Sequence, residues 1–68
     1  MEFIKYIWTI TAIDGESKAA VLLERFVCEG AAAQARADAT AERFATMHGV
    51  KDFEIILHRE GIVRVKVN

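Results

Sequence analysis

The chain has no proline, one cysteine and almost no net charge, and each scarcity removes a class of protein. Cys28 alone cannot form an intrachain disulfide, so a disulfide-stapled scaffold is excluded. Tetrahedral zinc takes about four ligands, and Cys28, His48 and His58 lie too far apart in sequence to make a recognisable set. Ten acidic residues against nine basic ones leave a formal charge of −1. That balance argues against a protein held to nucleic acid by a basic excess, and equally against an acidic imitation of DNA. No apolar run approaches the ~20 residues that a membrane helix needs. The N-terminus carries Glu2 early and has no apolar stretch of signal-peptide length. A soluble, cytoplasmic protein is expected.

Catalytic signatures are equally scarce. There is no glycine-rich phosphate loop, nucleophile elbow or metal-ligand helix. Asp38 and Glu42 share a helix face at four-residue spacing, as a solvated face commonly does, and Asp14-Gly15-Glu16-Ser17 lacks the ligand series of a calcium loop. His48 reads as a last-turn residue favourable to the helix dipole. His58 reads as a surface strand residue, and Cys28 as a buried or half-buried strand position. No enzyme activity, metal or cofactor is expected.

What is present is pattern. Phe3 to Ile13 alternates, with Ile4, Tyr6, Trp8, Ile10 and Ala12 on one side, and predicts a strand. Asp14-Gly15 predicts a two-residue hairpin turn. That turn would set Phe3 against Phe26, Lys5 against Glu24, Ile7 against Leu22 and Trp8 against Val21. Ser17 to Glu29 also fits a helix, through Ala19, Leu22, Leu23, Phe26 and Val27, with Gly30 as its cap.

Ala31 to His48 is alanine-rich and predicts the clearest helix, with Ala33, Ala37, Ala41 and Phe44 on its packing face and Gly49 as a left-handed cap followed by Val50. Phe53 to Asn68 reads as a second hairpin around Arg59-Glu60-Gly61, with Gly61 in the left-handed position. It would keep Phe53, Ile55, Leu57, Val63, Val65 and Val67 in the core.

The expected architecture over the single domain, 1–68, is α+β in the order β-β-α-β-β. One four-stranded antiparallel sheet would carry a single helix on one face; the alternative order is β-α-α-β-β. With 68 residues burying only about 60% of the unfolded surface, such a domain is marginally stable, and self-association is a natural support. The face away from the helix would carry Phe3, Lys5, Ile7, Leu22, Phe26, Ile56, His58, Ile62, Arg64 and Lys66. An apolar patch rimmed by charge marks an interaction site for another protein or a second copy. Nucleic acid is the other candidate, with aromatics stacking on bases and basic groups on phosphates.

The opening residues Met1-Glu2-Phe3-Ile4-Lys5-Tyr6, together with the size and layout, resemble small phage-encoded anti-CRISPR proteins. The resemblance implies a non-enzymatic inhibitor that binds and blocks a subunit of a CRISPR effector complex in the host cytoplasm. It transfers no functional residues.

Overall fold

A computed structural model describes residues 2–49 and 52–66. Its elements are strand β1 (Glu2–Asp14), strand β2 (Ala20–Cys28), helix α1 (Gly30–His48) and strand β3 (Phe53–Lys66). The three strands form one antiparallel sheet in the order β2-β1-β3, with α1 on one face. The α+β class and antiparallel sheet agree with the sequence pattern; among the described residues there are three strands and not the expected four. Ser17 to Glu29 is not helical, since β2 occupies most of it.

The first turn is longer than Asp14-Gly15 suggests. Asp14 N–H donates to the Ala19 carbonyl at 3.0 Å, so the chain reverses through Asp14 to Ala19. The Asp14 side chain organises the loop by accepting the Ser17 N–H and Oγ–H, both at 2.8 Å. Such Asx geometry competes well with a two-residue hairpin turn. Lys18, not Gly15, takes the left-handed conformation, at φ 63°.

β2 consequently pairs at a different register, Ile13 with Ala20 and Trp8 with Phe26. A bulge at Leu23, between the pairs Ile10–Glu24 and Thr11–Leu22, inverts the alternation of β2. Phe26 therefore turns toward the helix and is 7% exposed, a correction to its expected place on the outer face.

The predicted closing hairpin is a single 14-residue strand. Arg59 pairs with Trp8 and Gly61 with Ile7, leaving Glu60 as the extra residue of a bulge rather than the middle of a loop. Gly61 does not adopt positive φ. Because β1 is 13 residues long, it offers a pairing partner to every residue of a continuous β3 except Glu60. A hairpin at Glu60 would strand half of that ladder. The bulge also inverts alternation, so Val63 and Val65 face away from the helix, while Ile62, Arg64 and Lys66 lie on the helix side. Both assignments reverse expectation. Val50 and Val67 lie outside the described residues.

Helix α1 packs through small residues. Ala33, Ala37 and Thr40 are buried, which lets its backbone approach the sheet closely. Ile10 is fully buried beneath them, with Phe26, Trp8, Leu23, Cys28, Ile55 and Leu57 around it. Met47, placed beside the packing face by the helical wheel, is 72% exposed. Gly49 ends the helix at φ 64°, ψ 21°, the left-handed cap read from the sequence. Phe44 anchors its last turn edge-on to Phe53, with ring centroids 5.1 Å apart.

Candidate functional site: the open sheet face and projecting ribbon

Helix and sheet differ in length. Nineteen helical residues span about 28 Å, whereas the molecule measures 49 Å along its long axis. α1 starts beside the Trp8–Cys28 end of the sheet, where Trp8 Nε1 donates to the Cys28 carbonyl at 3.3 Å, and finishes over Phe53. β2 stops pairing at Tyr6. Residues 2–5 and 63–66 therefore project as a two-stranded ribbon beyond both β2 and the helix.

The register assigns two faces. On the helix side the ribbon carries Glu2, Ile4 and Tyr6 opposite Lys66, Arg64 and Ile62. Ile62 is 61% exposed, and the Arg59 guanidinium stacks on the Tyr6 ring at 4.9 Å from its centroid. Arg64 Nε lies 3.9 Å from Glu2 Oε1, a loose, exposed ion pair. The outer face runs the whole length of the sheet. Phe3, Lys5 and Ile7 of β1 lie opposite Val65, Val63 and Gly61 at the ribbon end. Further along, Thr9 and Thr11 lie opposite His58 and Ile56 on β3, with Arg25 and Leu22 on the β2 side.

Of the ten residues singled out from the sequence, Phe3, Lys5, Ile7, Leu22, Ile56 and His58 share the outer face. Ile62, Arg64 and Lys66 occupy the other side of the ribbon, and Phe26 is core. Val27, Val63 and Val65 are outer-face residues that alternation alone assigned elsewhere, because both bulges invert parity. Phe3, Leu22, Val27, Ile56 and Val65 are exposed large apolar groups on this one surface, Leu22 the most at 60%. No helix covers it. An ion pair crosses its middle: Arg25 Nη2 lies 3.0 Å from Glu60 Oε2, spanning β1 from strand to strand. Beneath it Thr9 is buried.

The polar cluster on the opposite side holds the fold together. Glu24, turned inward by the Leu23 bulge, accepts Arg36 Nε–H at 3.0 Å and Thr40 Oγ1–H at 2.9 Å, with Arg36 Nη2 also in contact. The Arg36 hydrogen bond, joined by that from Thr40 and opposed by burial, holds the Glu24 carboxyl below its usual range; the same contact raises the Arg36 guanidinium. Arg36 also covers the Phe26 ring at 4.7 Å. A recess of about 190 Å³ at the far end is lined by Ala12, Ala19, Val21, Phe44 and Phe53 with Asp14. The Asp14 carboxylate there is held low by the Ser17 N–H and is committed to its own turn.

No helix among the described residues is long and apolar enough to cross a membrane. No family model matches the chain, and no curated protein and no solved structure matches it.

Proposed function

We propose that this protein is a small non-enzymatic binding module that docks another protein on its open sheet face. The observation that carries the reading is a three-stranded sheet that α1 covers on one face only, with no element over the other among the described residues. It leaves five large apolar side chains exposed on one continuous surface. Apolar patches of that kind, interspersed with a few charges, are interaction surfaces. The resemblance of the first six residues to phage-encoded anti-CRISPR proteins fits the same reading, with a host complex, such as a CRISPR effector subunit, as the surface blocked.

Ile56→Glu tests it. A buried, unpaired carboxylate at the centre of an interface costs several kcal/mol, so affinity should fall at least about 100-fold. The circular dichroism of the variant should stay that of the wild type, since Ile56 lies outside the core. Undiminished binding by a folded Ile56→Glu protein would remove the outer face as the site.

A second reading, nucleic-acid binding, is favoured by the charge distribution. Residues 2–7 and 59–66 carry four bases, Lys5, Arg59, Arg64 and Lys66, against Glu2 and Glu60. The rest of the chain has five bases against eight acids. Salt separates the two: phosphate binding weakens steeply between 50 and 200 mM salt, whereas docking on an apolar face persists.

A further inference from the structure

The outer face is self-complementary, and we propose that its occupant is a second copy of this chain, packed face to face and antiparallel about a two-fold axis at Thr9. The proposal rests on the reading of this face as a protein-binding surface and puts a second copy of the chain, in place of a host subunit, upon it. Its first support is area. A monomer of 7.6 kDa is expected to expose about 4,300 Å², yet this chain exposes 5064 Å². The excess of roughly 800 Å² matches what each partner contributes to a standard protein–protein interface. The radius of gyration, 14.2 Å, likewise exceeds the ~11 Å of a compact 68-residue domain.

Charge is the second support. Along the outer face Lys5 lies at the ribbon end and Glu54, opposite Ile13, at the other. Arg25 and Glu60 pair between them, so the two Arg25 side chains that an axis level with Thr9 brings together each carry a counter-charge from their own chain. Neither Lys5 nor Glu54 forms an ion pair among the described residues, and both are exposed. Thr9 is four residues from Lys5 and four from Ile13. A two-fold axis there, perpendicular to the strands and lying between the sheets, sets each Lys5 beside the Glu54 of the other copy.

Shape agrees with charge. The same operation stacks β2 on β2 and β3 on β3, so Leu22 meets Val27 of the second copy. Ile56 descends onto the second copy's Gly61, where no side chain stands in the way. Phe3 reaches the Asp14–Ala19 turn, and Val65 the start of β3 at Phe53. Sheets packed this way lie ~10 Å apart with strands aligned to within about 30°. The arrangement is isologous, as a two-fold dimer requires.

Analytical ultracentrifugation at about 100 µM chain, above the µM dissociation constants typical of weak interfaces this size, should give twice the 7.6 kDa chain mass. Lys5→Glu and Glu54→Lys each create two like-charge contacts and should weaken the dimer roughly tenfold. The double variant Lys5→Glu/Glu54→Lys restores both contacts with reversed sign and should return to within about threefold of wild type. A monomeric wild type overturns the proposal, as does a double variant no better than the singles. A monomer that still captures a different protein in an Ile56-dependent way overturns the second copy alone and leaves the binding reading standing. A monomer that captures none sinks both.

Discussion

Glu24 is the residue on which sheet and helix are tied, although it was expected outside, opposite Lys5. Its carboxylate joins β2 to two turns of α1 through Arg36 and Thr40. A carboxyl held below its unfolded value of about 4.3 contributes stability that is present above that pH. That contribution is lost as pH falls through the folded value. Asp14, also held low by the Ser17 backbone, acts in the same direction. Glu24→Gln should therefore cost about 1 kcal/mol at pH 7, and the difference from wild type should be smaller at about pH 3, below the ordinary carboxylate range. Urea melts of both proteins at the two pH values check this; an equal gap at both would show that the charge on Glu24 does not stabilise the fold. Alternation along Val21 to Cys28 cannot show this contact, because the bulge at Leu23 exchanges the two faces.

At the scale of elements, the helix and its Gly49 cap were legible, since alanine-rich periodicity and a terminal glycine act through local backbone energetics. β1 was legible for the same reason, through period-two alternation. The end of the chain was not. Arg59-Glu60-Gly61 has the composition of a turn, but β1 supplies backbone partners along the whole of β3, and that ladder outweighs the local turn preference. Deleting Glu60 distinguishes the two geometries. In a bulge it removes the unpaired residue and leaves Ile7–Gly61 and Tyr6–Ile62 paired, at the loss of one exposed ion pair worth 0 to about 1 kcal/mol. The deletion should fold, with a melting temperature within several degrees of wild type. A protein that no longer melts cooperatively would contradict the continuous strand.

For the whole molecule, length and composition point to a domain with too little core for its surface, and the shape is the consequence: 49 Å long and 14 Å across its thinnest axis. If the excess surface is closed by a second copy, folding and association are linked, and the melting temperature should rise with chain concentration. Calorimetry over a hundredfold concentration range reads this directly; a constant melting temperature would mean that each chain folds alone. The sequence by itself determined the α+β class, the helix with its cap, the inner side of β1, and six of the ten residues on the candidate surface. Those follow from propensities and periods that act over a few neighbouring residues. Only the tertiary structure decided the strand count, the burial of Phe26, and which of Ile62, Val63, Arg64 and Val65 share a face. Those depend on two single-residue bulges. A bulge forms where two strands distant in sequence pair with unequal numbers of residues, and nothing within either strand alone records that inequality.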